Sequence, residues 1–232
     1  MSLLGDPGAS ETWEIENEAV GFVLAGGQSS RMGTDKAFVE FAGRPLVAHA
    51  VSILDAGGLK VFIAGAQSEA RSRLEQYAPV IPDRKAGLGP LSGICTALAS
   101  TTAGFGVFMP VDLPLLPASL VLCLLERARI TGCAVTLASV NGFPETFPAV
   151  ISGRTLPILE RELALGRLGC LVSFMTAARE LGENVATVDV EVLVQSGQVS
   201  HPYALPAVRW FLNLNAEPDL RRAASLATTR VS

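Results

Sequence analysis

The sequence predicts a single doubly wound, Rossmann-like α/β domain with a mixed, mainly parallel sheet and helices on both faces. Three observations predict it. Short apolar runs at 20–25, 60–64, 104–110 and 133–138 are separated by segments with helical signals, the strand–helix–strand pattern of parallel sheets with right-handed crossovers. The length of 232 residues, 49% of them hydrophobic, fits one large core. The first apolar run opens directly into a loop, 24–37, that holds two adjacent glycines, an arginine and a lysine.

That loop carries the first functional argument. Gly26 and Gly27 can take backbone angles closed to other residues and let a ligand approach closely. Successive amides in such a turn form an anion site, to which Arg31 and Lys36 add permanent positive charge. The expected ligand is a polyphosphate. A Walker loop is excluded, because Gly33 is followed by Thr34-Asp35-Lys36 rather than Lys-Ser/Thr, and G-x-G-x-x-G is absent from the loop.

Next come a Gly-Arg-Pro turn at 43–45, a helix over 46–55 that bears His49, and a strand over 60–64. A charged helix is expected around 68–77 and a short strand at 79–81, before Asp83 and a glycine-rich segment with Gly89 and Gly93. Pro90 suits the first position of a helix. The strand at 104–110 ends in Val111-Asp112-Leu113-Pro114. Ligands of open parallel sheets lie beyond such strand ends, and a carboxylate there can hold Mg2+, a hard cation that takes oxygen ligands and phosphates. A turn-capping aspartate is the alternative.

A helix is expected over 120–129, a strand over 133–138, a polar turn over 141–145 and a strand over 146–151. Helices follow over 156–165 and 167–179, then apolar runs at 187–194 and 201–208, and a strand at 210–212. Asn215 has the chemistry of a helix cap before Glu217-Pro218.

Composition excludes several classes. The five acidic residues Asp6, Glu11, Glu14, Glu16 and Glu18 lie at 1–18, which has no Lys or Arg, so the formal charge of -4 resides in that tail. The body lacks the basic excess of a nucleic-acid binder. No run reaches the roughly 18–20 apolar residues of a membrane helix. No basic-then-apolar leader is present either, so a cytoplasmic protein is expected. Cys95, Cys123, Cys133 and Cys170 form no C-x-x-C pair, and His49 and His201 are the only imidazoles. Free buried thiols are the reading, rather than a zinc site or disulfides.

Read in full, the loop is LAGGQSSRMGTDKA, and it resembles the LAGG-x-S-x-RMG-x-DK signature of the molybdenum cofactor guanylyltransferase family, within the nucleotide-diphospho-sugar transferase-like enzymes. GPLSG at 89–93 resembles that family's GPLAG, and the Asp112-x-Pro114 stretch its D-x-P. The likeness runs from Val20 to Leu220 and implies a nucleotidyltransferase domain over 19–224 between tails at 1–18 and 225–232 expected to be flexible. It implies GMP transfer from GTP to molybdenum-molybdopterin, with release of pyrophosphate. By the same resemblance, Leu24, Ala25, Gly26, Gly27, Ser29, Gly33, Lys36, Asp83, Gly89, Gly93 and Asp112 bind nucleotide. Lys36, Arg31 and Asp112 are the catalytic set, Asp112 holds Mg2+, and Arg167, Asn213 and Asn215 face the acceptor. Transient contacts with molybdopterin-inserting proteins or molybdoenzymes are implied, with no nucleic acid and no membrane.

The chain departs from the family in two places. Ala64-Gly65-Ala66-Gln67 stands where relatives carry a nucleotide-contacting asparagine, and Gly169-Cys170 where they carry a basic pair, with Arg167 as the nearby substitute. Two other readings stay open: a cytidylyltransferase or other nucleotidyltransferase with a different phosphorylated acceptor, and a non-catalytic nucleotide- or cofactor-binding module.

Overall fold

The computed structural model describes residues 18–26, 35–66, 70–83, 88–214 and Asp219. β1 (Ala19–Leu24) is buried along its whole length, as a central strand covered on both faces requires. After a 3-10 turn at Lys36–Phe38, β2 (Glu40–Phe41) and β3 (Arg44–Pro45) make a small hairpin. α1 (Leu46–Ala56) then leads to β4 (Lys60–Ala66), one helical turn α2 (Arg71–Leu74) and β5 (Val80–Pro82). α3 (Pro90–Ala99), β6 (Phe105–Pro110), α4 (Ala118–Thr131), β7 (Val135–Val140) and β8 (Phe143–Ser152) follow. The chain continues through α5 (Leu156–Ala164), α6 (Cys170–Glu180), β9 (Ala186–Asp189), α7 (Val190–Gln195) and α8 (Ala207–Trp210).

Seven strands form one sheet in the order β5-β4-β1-β6-β8-β7-β9. β5, β4, β1 and β6 are parallel, and β8 runs antiparallel to both β6 and β7. Alternate strand residues feed two cores. Val23, Ile63, Val107 and Met109 pack under α1 and α4, while Phe22, Phe62 and Phe108 pack under α3. Leu46, Val47, Ala50 and Leu54 form the buried stripe of α1, and burying each leucine contributes roughly 2 kcal/mol. β4 and β6 lie on opposite sides of β1, so strand order reverses between β1 and β6, where Leu24 is level with Pro110.

Several expectations are corrected in detail. The charged helix around 68–77 shrinks to α2 within the described residues. The polar turn is only Asn141-Gly142, whose φ values of 52° and 80° match the tight turn that follows strand twist, so β8 already starts at Phe143. The helix expected from Arg167 starts at Cys170, after Gly169. Residues 210–212 are not a strand. Pro206 starts the turn α8, and the Trp210 indole donates to Leu205 O at 2.8 Å. Glu18 pairs with Arg129 at 3.1 Å.

The two histidines act as staples. His49 Nε2 donates to Phe41 O at 2.8 Å, tying the small hairpin to α1. His201 Nε2 donates to Leu115 O at 2.9 Å, and its Nδ1 accepts from Tyr203 N at 3.1 Å. The two bonds of His201 require a neutral ring, whereas the single donated bond of His49 forms in either state. Burial lowers the pKa of both from the ordinary 6.5, so the unfolded chain binds more protons as pH falls below that value. Their stability contribution is therefore present above pH 6.5 and lost as pH falls through the folded values. The urea midpoint should fall between about pH 7.5 and 5.5, and His49→Gln/His201→Gln should flatten that fall. An equal fall in the double variant would assign it to other groups.

Candidate functional site

At or just past the carboxyl ends of β5, β4, β1 and β6 lie Asp83, Gly65, Gly26 and Asp112, where Leu24 is level with Ala64 and Pro110 and Ala66 is level with Pro82. Neighbouring strands stand about 4.8 Å apart, so roughly 14 Å of sheet edge separates Asp83 from Asp112. A ligand that reaches both is extended along the edge.

Lys36 is placed by local chemistry. Asp35 caps the 3-10 turn, its Oδ1 accepting from Ala37 N at 3.1 Å, and fully buried Ala37 anchors the turn to the core. The Lys36 ammonium donates to Asp112 Oδ2 at 2.6 Å, and each side chain is 18% exposed. Asp112 Oδ1 is buried and has no hydrogen-bond partner among the described residues. A buried carboxylate oxygen without a donor is costly, and a hard cation satisfies it well. No cluster of three or more metal-ligating side chains exists among the described residues. A magnesium ion on Asp112 would therefore take its remaining ligands from phosphate and water, as that ion commonly does.

Three glycines explain how the edge is closed. A Cβ on Gly26 would lie 2.2 Å from Gly65 O, and one on Gly93 would lie 3.3 Å from Gly65 Cα. The loop after β1, the end of β4 and the first turns of α3 therefore meet backbone to backbone. The space Gly93 leaves is filled by Gly65, and an asparagine at that level would have to displace this contact. Gly89 caps α3 with φ 74° and ψ -171°, a conformation side chains disfavour. Asp83 Oδ1 accepts from Ser92 Oγ at 3.0 Å and Thr96 Oγ1 at 3.1 Å.

The acceptor candidates lie around this edge. β8 ends level with the start of β6, and β9 starts level with Thr136 near the start of β7. α5 and α6 thus run up and back, leaving the turn at 165–169 on the carboxyl side. Arg167 there is tied twice to Glu162, by N–H to carbonyl at 3.0 Å and by Nη1 to Oε1 at 2.9 Å. Glu162 is 1% exposed and the Arg167 side chain 60%. Asn213 is exposed, and its neighbour Leu214 donates N–H to Asp112 O at 3.0 Å. Gly27, Ser29, Arg31, Gly33 and Asn215 lie outside the described residues.

Sequence reasoning missed two features. Glu145 lies not in a turn but on β8, in the part that runs past Phe108 toward the carboxyl edge, and burial pushes its carboxyl up from the ordinary range. Ser92 and Thr96 are the second. Their i,i+4 spacing on a helix that follows a loop opening on Asp83 was the available signal.

A doubly wound sheet with a lysine-held aspartate at its switch point belongs to the nucleotide-binding class of α/β proteins. Residues 21–216 match the family described as the MobA-like NTP transferase domain, and the chain belongs to that family. It is 43% identical over 108 residues to a molybdenum cofactor guanylyltransferase of Xanthomonas euvesicatoria, over 46% of this chain and 53% of that one. The Shewanella woodyi enzyme of the same name is 34% identical over 119 residues, 50% of this chain and 60% of its own length. The Pseudomonas putida enzyme of that name is 33% identical over 147 residues, 62% of this chain and 75% of its own. The chain thus spans little more than half the length of several of these relatives. Among solved structures, molybdopterin-guanine dinucleotide biosynthesis protein A of Archaeoglobus fulgidus superposes with TM-score 0.70 at 23% identity, over 89% of this chain and 97% of that one. That likeness carries the fold. No helix among the described residues is long and apolar enough to cross a membrane.

Proposed function

We propose that the protein transfers GMP from GTP to the phosphate of molybdenum-molybdopterin, giving the guanine dinucleotide cofactor and pyrophosphate. The observation that carries this reading is the Lys36–Asp112 pair at the switch point, with Asp112 Oδ1 unpartnered among the described residues. The names of the relatives support the base and the acceptor.

The acceptor phosphate oxygen attacks the α-phosphorus of GTP as the bond to the β-phosphate oxygen breaks, and pyrophosphate leaves with that electron pair. A phosphate monoester is largely ionised at neutral pH, so no side chain need remove a proton. Catalysis is then positioning and charge compensation. Lys36 and Arg31 neutralise the triphosphate, and the loop at 26–27 lets its backbone approach. Asp83 holds the nucleoside, and Arg167 meets the acceptor phosphate while Glu162 fixes its arm. Asp112 would hold Mg2+, which when bound offsets charge on the phosphate oxygens.

The test is pyrophosphate release with magnesium, molybdenum-molybdopterin and GTP, CTP, ATP or UTP in parallel. Release with GTP alone is expected. Release with CTP alone would keep the mechanism and overturn the base. Silence with all four beside measurable GTP binding would favour a binding module.

A further inference from the structure

Asp83 starts the loop after β5, and among the described residues its carboxylate is engaged through Oδ1 alone. Ser92 and Thr96, one helical turn apart on α3, are 2% and 4% exposed, and both hydroxyls converge on Oδ1. Two donors on one oxygen fix the carboxylate plane. They leave the lone pairs of the opposite oxygen available to a further donor. Among the described residues Oδ2 makes no hydrogen bond. Serine at 92 stands where the resembled GPLAG pattern has alanine, which cannot donate.

We propose that Ser92 and Thr96 are positioning residues that hold Asp83 so that Oδ2 accepts a hydrogen bond from the nucleoside of the bound triphosphate. This rests on the nucleotidyltransferase reading. Guanosine offers N1–H and the 2-amino group on its base and the 2′- and 3′-hydroxyls on its ribose, and the donor assigned to Oδ2 is the 2-amino group or the 2′-hydroxyl. A carboxylate so held rejects an analogue lacking its donor, because Oδ2 is then left unpaired.

Calorimetric binding to the full chain, without acceptor, tests this using GTP, inosine triphosphate and 2′-deoxyGTP. Wild type should bind one of the two analogues about tenfold more weakly than GTP, which identifies the donor. Ser92→Ala/Thr96→Val, close in shape to the native pair, should lose most of that discrimination. Ser92→Thr and Thr96→Ser, which keep the hydroxyls, should retain it. Discrimination unchanged in the double variant overturns the proposal, as does equal binding of all three by wild type. A merely structural role would lower the melting temperature and all three affinities together, and that result also overturns it. Should the double variant not fold, Ser92→Ala alone carries the same comparison. Preserved discrimination without pyrophosphate release would count against the transferase reading and leave the Asp83 contact standing.

Discussion

Asp112→Ala should lower pyrophosphate release by about a thousandfold while changing GTP affinity by less than about fivefold. The asymmetry follows from where the carboxylate sits. Asp112 lies just past the end of β6, at the switch point, with Oδ2 on Lys36 and Oδ1 buried and unpartnered among the described residues. Asp83, just past β5, and Gly65 of β4 with Gly26 and Gly93 packed against it, which would hold the nucleoside end, lie farther along the sheet edge. Losing Asp112 removes charge control at the reacting phosphates and leaves the nucleoside contacts in place. It also leaves Lys36, 18% exposed, without this counter-charge, so some loss of stability is expected. Asp112→Asn, which keeps the shape, separates the two effects. Turnover measured at saturating GTP on variants checked for folding decides the matter. Near-native turnover in magnesium would remove Asp112 from the chemistry.

Much of this site was legible because its signals are local. A fully apolar run followed by Gly26-Gly27, a proline at the first position of α3 and an aspartate just past the end of β6 each reveal their geometry within a few residues. Their meeting follows from parallel-sheet topology, which puts successive carboxyl ends on one edge. The C-terminal arm was not legible. Trp210-Phe211-Leu212 has the composition of a strand. Its actual partners are the ring of His201, the carbonyl of Leu205 and, through Leu214, the backbone of Asp112. No local pattern announces contacts that lie about a hundred residues apart, as Leu214 and Asp112 do. The same holds for Glu162. Its acidic side chain reads as solvated helix surface, yet it is buried and holds the arm of Arg167. Asn141-Gly142 is the opposite case. The hairpin signal is present in the sequence, and Pro144 and Glu145, poor strand formers, make the turn read longer than it is.

Lys36→Met should move metal affinity and turnover in opposite directions. The ammonium sits 2.6 Å from Asp112 Oδ2, so before substrate arrives it already supplies the positive charge a cation would bring. A metal ion must share that carboxylate with Lys36 or displace it. Triphosphate offers the ammonium a second set of anionic oxygens, so binding GTP should release the aspartate and bring the metal with it. Methionine keeps the length and removes the charge. Mn2+ binding without nucleotide, followed by paramagnetic resonance, should therefore tighten about tenfold, the scale of an adjacent unit charge. Pyrophosphate release should fall at least about a hundredfold, because the charge that compensates the phosphates is gone. In wild type, Mn2+ affinity should rise when GTP is added, and in the variant that coupling should shrink. Unchanged Mn2+ affinity in Lys36→Met would mean that the lysine and the ion do not compete for Asp112, and the metal would then have to lie elsewhere.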